Sequence, residues 1–111
     1  MKAAIIEGFG DPAATIQLKD LPEPAPPGPG EVTVEMLVLN INPSDLLQIQ
    51  GLYGVSRPPL PLTPGGEAVG RIAAVGEGVT GLAVGDIVSP MILSCWVERV
   101  TMKASLAMKL P

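Results

Sequence analysis

Proline and glycine interrupt this chain so often that no regular element can run far: thirteen of each are spread over 111 residues. Proline removes a backbone donor and fixes φ, and glycine weakens the interior of both helix and strand. A chain punctuated at this density must be built from short strands and turns. Between the breaks lie runs of Val, Ile and Leu, and 47% of all residues are hydrophobic, so this is a folded domain and not a low-complexity tract. The length fits one core, residues 1–111 as a single domain. With one Phe, one Trp and one Tyr, that core is expected to be Val, Leu, Ile and Met.

Along the chain, Lys2 to Glu7 reads as a strand ended by Gly8-Phe9-Gly10-Asp11-Pro12, and Thr15 to Lys19 as a shorter second one. Leu21 to Gly30 holds five prolines and is a stiff, extended connection. Glu31 to Ile41 first alternates, Val32, Val34 and Met36 against Glu31, Thr33 and Glu35, and then turns wholly apolar; this predicts a strand that starts at a sheet edge and ends inside the core. After Asn42-Pro43, Ser44 or Asp45 can cap one short helix near residues 44–50, stopped by Gly51; no other helix is expected. Arg57 to Pro64 is a proline-rich loop. Glu67 to Val75 reads as a strand turning at Gly76-Glu77-Gly78, Gly85-Asp86 as a turn before Ile87 and Val88, and Trp96 to Met102 and Leu106 to Leu110 as the last strands. The fold class is mainly β, a compact and partly closed barrel.

Seven basic against eleven acidic residues give a charge of -4 and no basic stripe, which argues against nucleic acid as a partner. Cys95 is the sole cysteine, so no internal disulfide forms and a reducing, cytoplasmic setting is expected. No stretch approaches the ~20 apolar residues of a membrane span.

Three stretches in order carry a resemblance. They are Asn42-Pro43-Ser44-Asp45 with Gln48-Ile49-Gln50-Gly51-Leu52-Tyr53; Pro58-Pro59-Leu60-Pro61 leading to Gly65-Gly66-Glu67-Ala68-Val69-Gly70; and Val75-Gly76-Glu77-Gly78-Val79 with Gly85-Asp86-Ile87-Val88. Together they resemble the GroES-like segment of zinc-free medium-chain dehydrogenase/reductases, and the first is similar to the pattern of 2-enoyl thioester reductases. The resemblance implies a GroES-like, partly closed β-barrel, NADPH as cofactor, enoyl-CoA or enoyl-carrier-protein as substrate, and a homo-oligomer. Zinc-dependent relatives carry a Cys where this chain has Asn42 and a His where it has Gly66, and their cysteine-rich structural zinc lobe has no counterpart between Val88-Ser89-Pro90 and Cys95-Trp96. With no histidine and one cysteine, the chain cannot assemble the nitrogen and sulfur ligands of a zinc site.

From the residues alone, Tyr53 reads as a half-buried aromatic closing a loop, whereas the resemblance places the family's catalytic tyrosine there. A phenol, with a reference pKa of about 10, is an acid at neutral pH and suits protonation of an enolate or hydrogen bonding to it. Asn42 has two readings: a carboxamide contacting the nicotinamide of the cofactor or the substrate, or a turn residue bonded to its own backbone before Pro43. Ser44 reads as a helix cap, Glu67 as a buried structural carboxylate, Trp96 as packing on the barrel or lining the cleft, and Cys95 as a small buried hydrophobe. Members of the family also carry a nucleotide-binding Rossmann domain and a returning C-terminal segment. Residues 1–111 contain neither, and no G-x-G-x-x-G opens a helix. The expected function is therefore one wall of an NADPH-dependent enoyl thioester reductase. A quinone oxidoreductase of the same superfamily and a stand-alone, non-catalytic binding or assembly module are the alternatives.

Metal analysis of the purified protein should find no stoichiometric zinc, and one tightly held zinc per chain would refute the assignment to the zinc-free branch.

Overall fold

The computed structural model describes residues 1–54 and 57–111. Its elements are β1 (Lys2–Ile6), α1 (Pro12–Thr15), β2 (Ile16–Asp20), β3 (Glu31–Leu39), α2 (Pro43–Gln50), β4 (Ala68–Val75), β5 (Ile87–Pro90), β6 (Arg99–Lys103), a 3₁₀ turn at Ala104–Leu106, and β7 (Ala107–Lys109). Five strands form one antiparallel sheet in the order β6-β3-β4-β5-β7, and β1 pairs with β2 in a separate hairpin.

The strand order dictates the shape. β6 and β7 are the two edges of the five-stranded sheet, about 19 Å apart if it were flat at a spacing of ~4.8 Å. Yet only Ala104–Leu106 joins them, and a 3₁₀ turn rising ~2 Å per residue advances about 8 Å from Lys103 to Ala107. The sheet must curl until its edges approach. Inside the curl sits a core to which every strand contributes: Val32 and Val34 from β3, Ile72 from β4, Val88 from β5, Met102 from β6 and Ala107 from β7. The edge strands share no ladder with each other among the described residues, so the barrel is only partly closed.

The hairpin closes one side of this curled sheet through backbone bonds. Ala4 N–H donates to Trp96 O at 2.9 Å, Ile6 exchanges two bonds with Leu62 at 2.8 and 3.0 Å, and Glu98 N–H donates to Lys2 O at 3.1 Å. The proline-rich connection is tied down from β6. The Arg99 guanidinium grips Glu23 with two bonds of 2.7 and 2.6 Å, holding that carboxyl below its usual range, and Thr101 Oγ1 donates to Ala25 O at 2.7 Å. No helix among the described residues is long and apolar enough to cross a membrane.

Four expectations need correction. α2 is not the only helix, because Asp11-Pro12 opens the short α1, with Pro12 at a first-turn position that needs no donor, and the 3₁₀ turn links β6 to β7. The last long strand begins at Arg99 rather than Trp96, since the N–H groups of Cys95 and Trp96 donate to Gly65 and Pro64, and Val97 forms only an isolated bridge to Ala3. β3 runs opposite to its prediction: it is a central strand whose first half is core, with Val32 and Val34 fully buried, while Leu37, Val38, Leu39 and Ile41 are exposed. The reason is that β6 pairs only with Glu31 to Glu35, and a register irregularity between Met36 and Val38 re-aims the apolar tail. Finally, no leucine is among the buried core residues, whereas Leu18, Leu52 and Leu93 are 66–72% exposed. The inner space of a narrow curl is filled by β-branched and small side chains.

Ile72→Ala should therefore cost about 2–5 kcal/mol of stability by leaving a cavity at the centre of the curl. Leu18→Ala, at an exposed position, should stay within about 0.5 kcal/mol. Urea unfolding of the two variants measures the contrast, and equal losses would show the core to lie elsewhere.

Candidate functional site

Three segments converge beside the hairpin: residues 40–45 leading into α2, residues 64–67 leading into β4, and residues 94–97 leading into β6. The bonds joining them are explicit. Cys95 N–H donates to Gly65 O and Trp96 N–H to Pro64 O, both at 3.0 Å, and the Trp96 indole N–H donates to Asn40 O at 3.1 Å. Asn40 Nδ2 donates to Glu67 Oε2 at 2.8 Å. Gly65 is required here for two reasons. Its φ is +116°, and a Cβ would lie 2.3 Å from Trp96 Cδ1, so only glycine lets the indole lie against this loop.

On the hairpin side of this junction lies an open groove of about 470 Å³. Its walls are Leu18 of β2, Leu37 and Leu39 from the exposed tail of β3, Ile41 and Trp96, with Lys2 and Glu98 at its polar margin. Trp96 is thus both a packing residue on Gly65 and a wall of the cleft. The leucines missing from the core are used partly here.

α2 organises the residues singled out by the sequence motif. Asn42 occupies the N-cap with extended backbone (φ -100°, ψ 155°), so neither Ser44 nor Asp45 is the cap. Asp45 acts instead from the third helical position: its Oδ2 accepts the Asn42 N–H at 2.8 Å and its Oδ1 accepts the Gly66 N–H at 2.9 Å. Gly51, at φ 75°, ends the helix in the left-handed region, and Tyr53 follows two residues later. Asn42 and Tyr53 therefore flank the eight residues of α2, about 12 Å of helix at 1.5 Å per residue. Tyr53 is 54% exposed, more open than the half-buried loop aromatic expected, and neither it nor Asn42 lines the groove. The turn that carries Tyr53 is held by Arg57, whose Nε donates to Gly51 O at 3.2 Å and whose guanidinium lies 5.2 Å over the Phe9 ring.

The buried carboxylate of this site is not Glu67, which is exposed and bonds Asn40 at the surface, but Asp45, only 2% exposed. The sequence carried half of the signal, since the Asn-x-x-Asp spacing is that of a capping box; the partner Gly66, 21 residues further on, is a contact of the fold. Cys95 is fully buried, with its thiol pushed up to about 11 by desolvation and then by the charge of Asp45, so it is an inert thiol at neutral pH. No group of three His, Cys, Asp or Glu side chains placed to hold a metal occurs among the described residues. For a dinucleotide the fit is partial. All ladders are antiparallel, so the described residues form no βαβ unit to seat a pyrophosphate, and what the segment can offer a nicotinamide is the half-buried amide side chain of Asn42.

Comparison with known proteins agrees with this architecture. The alcohol dehydrogenase GroES-like domain family matches residues 28–111. The mitochondrial enoyl-[acyl-carrier-protein] reductase of Bos taurus is 48% identical over 90 residues, covering 81% of this chain and 24% of that protein. Among solved structures, the quinone oxidoreductase of Escherichia coli complexed with NADPH superposes with a TM-score of 0.86 at 30% identity, over 100% of this chain and 33% of that one. Etr1p, a 2-enoyl thioester reductase component of Candida tropicalis solved with NADP and crotonyl-CoA, gives 0.82 at 28% identity, over 99% and 33%. The chain spans about a quarter of the length of the curated relative and a third of the solved ones. On the family match across most of its residues, the chain belongs to the GroES-like domain family of the medium-chain dehydrogenase/reductases.

Proposed function

We propose that this segment forms one wall of an NADPH-dependent 2-enoyl thioester reductase, with Tyr53 as the hydroxyl that protonates the enolate or steadies its charge. The observation that carries the reading is the placement of Tyr53 directly after the Gly51 cap of α2, within a stretch that is 48% identical to an enoyl-carrier-protein reductase. The groove walled by Leu18, Leu37, Leu39, Ile41 and Trp96 suits an acyl chain. In this reading the remaining walls and the pyrophosphate seat come from parts found in the longer relatives.

NADPH, when bound, supplies the hydride for the β-carbon of the conjugated thioester. The work of this chain is to orient and to move a proton. The Asn42 carboxamide contacts the nicotinamide from the N-terminal end of α2. From the other end the exposed Tyr53 hydroxyl donates toward the substrate, first as a hydrogen bond to the developing negative charge and then as the proton that the α-carbon must receive. One rigid helix, pinned at both ends, fixes the separation of the two groups.

A quinone oxidoreductase is the second reading, favoured by the TM-score of 0.86 to the Escherichia coli enzyme. The apolar groove would also accept a planar ring. Turnover separates them: NADPH oxidation driven by crotonyl thioesters supports the first reading, and a preference for quinones would replace it with the second.

The test of Tyr53 is Tyr53→Phe in the polypeptide that carries this segment. Because the ring is more than half exposed, losing the hydroxyl should leave folding and cofactor affinity nearly unchanged. Turnover should fall by roughly 10²- to 10⁴-fold, the usual weight of a general acid. Turnover within about threefold of wild type would remove Tyr53 from the chemistry. Solvent deuterium provides a second check: wild type should label one face of the α-carbon, and unchanged facial selectivity in the variant would place the donor elsewhere.

A further inference from the structure

We infer that Asp45 is a positioning residue, which ties the backbone of Asn42 to the Gly65-Gly66 loop and so holds Asn42 in the place from which it contacts the nicotinamide. This rests on the proposed contact of Asn42 with NADPH and extends it to a residue outside that contact.

The observation is a buried charge with an unusual pair of partners. Asp45 is the single buried charged residue among the described residues, and it has no ion-pair partner among them. Desolvating a carboxylate is costly unless donors replace the lost water. Here two backbone N–H groups do so, one on each oxygen: Asn42 at 2.8 Å on Oδ2 and Gly66 at 2.9 Å on Oδ1. The back-bond to the Asn42 N–H alone would not need a buried charge, because a neutral amide oxygen at the third helical position serves it at lower desolvation cost. What a carboxylate alone adds is a second acceptor oxygen. An asparagine at position 45 would face one of the two N–H groups with its own N–H₂.

The two bonds also complete a ring of contacts. From Asn42 the link passes through Asp45 to Gly66, from Gly65 and Pro64 to the Cys95 and Trp96 backbone, and from the Trp96 indole back to Asn40 O. Every segment bordering Asn42 is thereby fixed relative to the wall of the groove. Opening the Asp45 link leaves the start of α2 attached to that wall mainly through Asn40.

The experiment is a double-mutant cycle on the polypeptide that carries this segment, read by direct NADPH titration without substrate. Asp45→Asn should weaken NADPH binding by about tenfold, the scale of a lost charge-assisted hydrogen bond. In an Asn42→Ala background the same change should cost less than about twofold, because the contact it positions is already gone. Equal losses in both backgrounds would make Asp45 a purely structural residue and overturn the inference. If Asp45→Asn does not fold, amide hydrogen exchange on the wild-type protein decides: the Asn42 and Gly66 N–H groups should be protected to a similar degree, whereas a Gly66 amide exchanging at open-loop rates would show that the bridge is absent. Failure of the proposed function reads differently, as no response to crotonyl thioesters or no NADPH binding by wild type, with the exchange result left standing.

Discussion

The three-residue link between β6 and β7 governs the rest of this molecule. Joining the opposite edges of a five-stranded sheet through Ala104–Leu106 leaves the sheet no flat solution, and the curl it forces creates an inner volume too narrow for most large side chains. The core is accordingly Val32, Val34, Ile72, Val88, Met102 and Ala107, mainly β-branched and small. The same curl determines where pairing ends. β6 is short and runs beside only the first five residues of β3, so the second half of β3 has one neighbour instead of two. An apolar strand tail with a free edge and no core to enter becomes the wall of a groove.

That division of β3 explains why its sequence misleads. The alternating half and the wholly apolar half differ as a partly solvated strand and a buried one ordinarily would, and periodicity has no means of telling a buried apolar run from one that faces a cleft. Length of pairing decides, and β6 is 60 residues away in the chain. By contrast, what depended on local chemistry was readable. The turn at Gly76-Glu77-Gly78, the stop at Gly51 and the stiff segment from Leu21 to Gly30 all follow from φ preferences and missing donors, which act within a few residues. The partly closed barrel was legible for the same reason, since dense punctuation permits few other architectures.

Charge burial shows the other side of that limit. Glu67 and Asp45 are both acidic residues next to apolar stretches, and nothing local marks one as buried. Their fates diverge because two N–H groups, one near and one 21 residues distant, converge on Asp45, while Glu67 meets only the Asn40 amide at the surface. A buried carboxylate is located by its donors, and donors are assembled by the fold. The motif pointed to Asn42 and Tyr53 as single letters; α2 joins them as the two ends of one short helix.

The electrostatics around that helix also narrow which groups can do chemistry. The Cys95 thiol, raised to about 11 from an ordinary value near 9.0, is protonated in the folded chain at neutral pH. A neutral thiol in a fully buried site contributes no nucleophile and no negative charge near the groove. Because desolvation raises the folded value by penalising the thiolate, Cys95 leaves stability unaffected below about 9 and lowers it as pH rises from there through about 11. The charge of Asp45 contributes to this shift but is itself spent on the Asn42 and Gly66 backbones. The carboxylate holds the frame, the thiol and the indole of Trp96 pack it, and Tyr53 stays exposed just beyond the helix end. That allocation leaves the apolar groove and the turn carrying Tyr53 as two separate surfaces of this segment, since Tyr53 is exposed beyond the helix end and does not line the groove.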